Sequence, residues 1–113
     1  MQQFPDDWDL KTRIEYLQRK VILNSIAYYM YDVSFISDGY FNSIAQQLAT
    51  MMAEYGDVKN TRYGYAFVEF DGSTGFDLYY RLEKKDRDYL TGLTLWQIER
   101  TKRGGADGDG DSR

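Results

Sequence analysis

Two short stretches of this chain hold side chains that could do chemistry. Residues 28–42, YYMYDVSFISDGYFN, gather Tyr28, Tyr29, Tyr31, Phe35, Tyr40 and Phe41 around Asp32 and Asp38. Rings beside carboxylates make a surface that can hold a cation or a planar heterocycle. Residues 69–77, EFDGSTGFD, put Glu69, Asp71 and Asp77 around a glycine-rich loop. Such a group could act as an acid–base pair or hold a metal. Its ordinary use is turn chemistry, in which Asp and Ser bond local backbone and Gly supplies positive φ. The alternating acidic ligands of a calcium loop are missing, because Ser73 and Gly75 follow Asp71. There is no histidine and no cysteine among the 113 residues. That removes the usual general base, the thiolate nucleophile and the commonest metal ligands, so no metal site and no catalytic residue is expected. The lack of cysteine also fits a reducing, cytoplasmic setting.

The elements that must position these residues are helical by periodicity. Leu10, Ile14, Leu17, Val21 and Tyr28 recur at helical spacing, which predicts a helix over 8–31 with a buried stripe. Ile22, Ile26 and Tyr29 form a second stripe, so this helix should be covered on two sides. Asp6 or Asp7 can cap its start. Ser37 is a natural N-cap for a second helix over 38–55, and Asp38 then lies in the first turn, where the dipole favours an anion. Phe41, Ile44, Leu48, Met51 or Met52, and Tyr55 form its stripe, and Gly56 ends it. So short a turn makes the pair antiparallel. A third helix over 84–101 should close the core through Tyr89, Leu93 and Trp96. The connection is aromatic and glycine-rich, and residues 63–70, YGYAFVEF, fit either a short strand or helical and irregular packing. The expected fold is mainly α, with one domain over 1–101 and a disordered, apolar-free tail over 102–113.

Charge and hydropathy narrow the function classes. A net charge of −4 argues against direct binding of a nucleic-acid backbone. No run approaches ~18 apolar residues, so no membrane span is expected. Eleven tyrosines cluster at 28–31, 63–65 and 79–80. Tyrosine gives large contact area at small entropy cost, which favours a protein-binding face built from Tyr29, Tyr31, Asp32, Tyr63 and Tyr65.

The run YYMYDVSFISDGYFN resembles the turn between two helices in the small N-terminal domain of bacterial NAD-dependent DNA ligases, which reads YYxxDxPxISDAEYD. The likeness spans residues 10–55. FDGSTGFDL, residues 70–78, is similar to a stretch of small phage and prophage proteins labelled ligase-related. In the ligases this domain grips the nicotinamide mononucleotide half of NAD. The resemblance therefore implies a nucleotide pocket at Tyr28, Tyr29, Asp32 and Asp38. Tyr28, Asp32 and Asp38 match the family. Tyr29 stands where the family usually has histidine, Phe41 where it has tyrosine, and Asn42 where it has aspartate. Tyr40 replaces the glutamate of the capping box. The shape-keeping residues remain and half of the ligand-holding groups are changed. EFDG, residues 69–72, ends like the ligase KxDG motif, but glutamate replaces the nucleophilic lysine. The expectation is a non-catalytic interaction protein on a ligase-like scaffold, binding no cofactor. The phage likeness implies a host protein as partner and a role as modulator or inhibitor. The alternative is a small protein that captures NAD or nicotinamide mononucleotide.

Overall fold

A computed structural model describes residues 2–72 and 77–106. The fold is mainly helical. Helix α1 spans Leu10–Tyr31, α2 Asp38–Tyr55, the short α3 Leu78–Arg81 and α4 Lys84–Ala106, with 3₁₀ turns at Val58–Asn60 and Gly64–Ala66. No strand occurs among the described residues, so 63–70 takes the helical and irregular course.

Helix α1 is the central element, packed against both α2 and α4. This explains its two stripes: Ile14, Leu17 and Val21 are buried, and so are Ile22 and Ile26. Gln18 on α1 approaches Met52 near the end of α2, whereas Ser25 and Tyr28 share a cavity with Asp38 and Phe41 at its start. The two helices therefore run antiparallel. In α2 the expected stripe holds, with Ile44, Leu48 and Met52 buried, and Gly56 at φ 84° closes the helix.

The ends of α1 differ from the expectation. Its N-cap is Asp9, whose carboxylate accepts from Thr12 N–H at 2.8 Å, because Asp6 and Asp7 lie a turn too early. Its C-cap is Asp32, in the left-handed region at φ 56°. Tyr28, expected on the buried stripe, is 47% exposed. It keeps the same face of the helix as Val21, but there the chain has turned away into residues 32–37 and leaves a hollow.

The stripe of α4 also moves. Tyr89 and Trp96 are exposed, and the buried positions are Asp86, Leu90, Thr94 and Ile98. Periodicity misled here because two of the core positions are polar. Thr94 Oγ1 satisfies itself by donating to Leu90 O at 2.8 Å, and Asp86 accepts from Tyr65. Helix α4 continues to Ala106, past the boundary expected at 101. The tail beyond 106 and residues 73–76 of the glycine-rich loop lie outside the described residues.

Gln18 ties the connection to α1. It is wholly buried, donates to Thr61 Oγ1 at 2.8 Å and accepts from Tyr63 N–H at 3.2 Å. A buried amide with its donors and acceptor used in this way holds two successive turns in place of a strand.

Candidate functional site at the α1–α2 junction

The junction is built by three local devices. Asp32 reverses the chain, with Val33 N–H returning to Ala27 O at 2.9 Å. Ser37 Oγ accepts Tyr40 N–H at 3.1 Å and starts α2, as its residue type requires. The Tyr40 side chain sends its hydroxyl to Gln2 Oε1 at 3.1 Å. Gln2 and Gln47 then exchange two hydrogen bonds, which pin the N-terminal segment onto α2.

Between the last turns of α1, the 32–37 loop and the first turn of α2 lies a cavity of about 240 Å³. Its lining includes Asn24, Ser25, Tyr28, Tyr29, Phe35, Asp38, Phe41 and Asn42. Tyr28 and Tyr29 stand edge to face, with centroids 4.9 Å apart. Behind this lining two polar atoms are buried from water and have no hydrogen-bond partner among the described residues: Ser25 Oγ, on a residue 2% exposed, and Asn24 Oδ1. The orientation of the Asn24 amide is fixed, because its Nδ2 donates to Lys20 O at 2.8 Å. Such buried, unmet polar atoms are uncommon and each has an energetic cost unless something binds them. Among the described residues, one carboxylate, Asp38, and no lysine or arginine line the cavity.

The structure thus brings Tyr28, Tyr29 and Asp38 together. Asp32 lies at the junction but outside the lining, where its backbone serves the turn. Tyr31 is exposed on the last turn of α1. Tyr63 and Tyr65 do not belong to a contact face. Tyr63 is 2% exposed, because it packs into the core beside Gln18. Tyr65 is half-buried, and its hydroxyl is used by the start of α4. Gln18 sits about 15 Å along α1 from Tyr28, so these two tyrosines lie in a different part of the molecule.

Sequence reading missed Ser25 and Asn24. A usable signal was present, since Ser25 interrupts the apolar run Val21, Ile22, Ile26 on a buried face. The other carboxylate group is neutralised in part: Arg81 reaches Glu69 at 3.2 Å and Asp77 at 3.0 Å. Among the described residues no group of three acidic, His or Cys side chains could hold a metal ion. No described helix is long and apolar enough to cross a membrane. Comparison with protein-family models, curated proteins and solved structures found no match for this chain.

Proposed function

We propose that this chain is a non-catalytic interaction protein, built on a ligase-like helical scaffold, that binds a protein partner at the α1–α2 junction. The observation that carries this reading is the group of exposed rings, Tyr28, Tyr29 and Tyr31, at the mouth of an open cavity. Exposed aromatic clusters beside a pocket are the anchors that protein interfaces use. On the phage likeness, the partner is a cytoplasmic host protein and the chain modulates or inhibits it. The test is affinity capture from host lysate with the intact protein and with a Tyr28→Ala, Tyr31→Ala variant. A single protein retained by the first and lost by the second, with unchanged melting of the variant, supports the reading. Equal retention by both overturns this face as the binding site.

A second reading is favoured by one specific observation. Five residues that line the cavity, Tyr28, Tyr29, Asp38, Phe41 and Asn42, are positions at which the resemblance places the nicotinamide mononucleotide pocket. Calorimetry with NAD and nicotinamide mononucleotide separates the two. Saturable heat that Asp38→Asn abolishes selects nucleotide capture.

A further inference from the structure

Towards the other end of α1, four stretches of the chain meet around a second cavity, of about 300 Å³. Thr12, Glu15, Tyr16 and Arg19 follow one another at steps of three and four residues and so share one face of α1. Trp8 comes from the N-terminal segment, Arg62 and Tyr63 from the connection, and Tyr89 from α4. Tyr16 lies about 18 Å along α1 from Tyr28, so this cavity is separate from the junction. Its walls are held in place. Trp8 and Tyr16 meet edge to face with centroids 5.7 Å apart, and Trp8 O accepts from Arg13 Nε at 3.0 Å. Arg62 donates its backbone N–H to Glu15 Oε2 at 2.9 Å, and its guanidinium stands 5.3 Å from the centre of the Tyr63 ring. Burial raises the Tyr63 hydroxyl, while Arg62 and Arg19 pull it the other way, so both guanidiniums are within electrostatic reach of that ring. Elsewhere, Arg13, Arg81 and Arg87 commit their guanidiniums to oxygens of the chain. Arg19 and Arg62 are exposed at the cavity and make no guanidinium hydrogen bond or ion pair among the described residues.

We propose that this cavity binds an aromatic oxyanion, a planar ring that carries a phosphate or a carboxylate group. The proposal stands apart from whatever binds at the α1–α2 junction. A guanidinium offers only donors, in a fork that matches the oxygens of a phosphate or carboxylate. Two such forks without protein acceptors are therefore arranged for an anion from outside. The rings of Trp8, Tyr16 and Tyr89 beside them give a planar group apolar surface to pack on. Glu15 works against an anion, and among the described residues its charge leaves the lining with a net excess of one cation. One oxygen of that carboxylate is turned to the Arg62 N–H, which limits the opposition without removing it. Size agrees: about 300 Å³ is at the lower edge of the roughly 300–1,000 Å³ range of small-molecule sites, and suits a single ring with its charged group.

The test titrates phenyl phosphate, benzoate, inorganic phosphate and benzylamine separately into the intact protein and follows backbone amide resonances. The expected result is saturable, millimolar binding of phenyl phosphate or benzoate, with shifts centred on residues 8–19, 62–63 and 89. Inorganic phosphate, which lacks the ring, should bind several-fold more weakly, and benzylamine, which reverses the charge, should not saturate. Raising the ionic strength should weaken the aromatic anion. Arg19→Gln and Arg62→Gln should each weaken it by about tenfold, the loss of one charge-assisted contact. Neither guanidinium bonds the rest of the described chain, so the melting temperature of both variants should match the parent. Glu15→Gln should instead tighten binding several-fold, since its amide oxygen can still accept the Arg62 N–H while the repelling charge is gone. No saturation by either aromatic anion, equal binding of benzylamine, or binding that both arginine variants leave unchanged overturns the site. Inorganic phosphate that binds as tightly as phenyl phosphate also overturns it, because the rings would then contribute nothing. The junction reading is tested by partner capture through Tyr28 and Tyr31, and its outcome is independent of these.

Discussion

The hydroxyl of Tyr65 joins two parts of the start of α4. It donates to Asp86 Oδ2 at 2.5 Å and accepts Glu83 N–H at 3.1 Å. One phenol from the connection thus satisfies a free backbone donor and a buried carboxylate in the first turn, a task that a side-chain cap normally performs.

Tyr65→Phe should therefore destabilise the protein without altering the helices. Asp86 is 8% exposed and would lose this partner. A hydrogen bond to a buried charged group is worth about 1.5–3 kcal/mol, which corresponds to roughly 4–8 °C of melting temperature per kcal/mol in a domain near this size. Thermal melts followed by circular dichroism check it. A variant that melts within a degree of the parent would show that water replaces the phenol.

The same contact predicts an alkaline weakness. Burial, followed by the hydrogen bond to Asp86, pushes the Tyr65 hydroxyl up to about 12 from an ordinary 10.0. Burial also raises Tyr63. A phenol whose folded value is raised favours the neutral form in the native state. Its contribution is complete below pH 10 and is lost as pH climbs from 10 towards 12. Denaturant midpoints should fall across that window, and less steeply in Tyr65→Phe than in the parent.

Two glycines should behave oppositely. A Cβ on Gly64 would lie 1.8 Å from Val58 O, a backbone atom that cannot yield without breaking the paired 3₁₀ turns. A Cβ on Gly92, in the middle of α4, meets nothing within 4 Å. Gly64→Ala should cost more than about 3 kcal/mol or prevent folding, within the range of severe steric defects. Gly92→Ala should stabilise by about 0.5–1 kcal/mol through helix propensity. Urea midpoints of the two variants give the comparison.

Asp32 is not free to change, despite its position beside the site. At φ 56° it sits where a Cβ is disfavoured. Asp32→Ala should lower stability by about 1 kcal/mol, and Asp32→Gly should match or exceed the parent. Equal melting temperatures for the alanine and glycine variants would contradict the left-handed cap.

Gln18→Ala should unfasten the connection. It strands the Tyr63 N–H and the Thr61 hydroxyl contact and opens a void in the core. The cost should be about 2–4 kcal/mol, the sum of an unmet buried donor and lost packing. Hydrogen exchange should accelerate at residues 61–67 more than in α2.

These residues show which features of the sequence could be read and which could not. The limits of α2 were legible because Ser37 and Gly56 act locally, through a cap and a positive φ. The two-sided burial of α1 was legible because apolar side chains recur on both faces. What failed depended on partners distant in sequence. Asp86 and Thr94 look like surface residues until a phenol and a carbonyl satisfy them. Tyr28 has the right phase for the core, and only the course of residues 32–37 leaves it uncovered. The cavity was half legible, since its rings and Asp38 lie in one run. The rest of its lining includes Ser25 and Asn24, one helical turn earlier.

The placement of α1 between α2 and α4 has a consequence for synthesis on the ribosome. The α1–α2 hairpin joins neighbours in sequence and closes through a short turn, so it can form as soon as residue 55 is free. The flank of α1 that α4 covers must then wait until the last quarter of the chain has emerged. During that interval this flank stays open to solvent and to other nascent chains. A stop anywhere before Lys84 would leave that state permanent, and truncated products should aggregate or be degraded although they retain a well-formed helical pair.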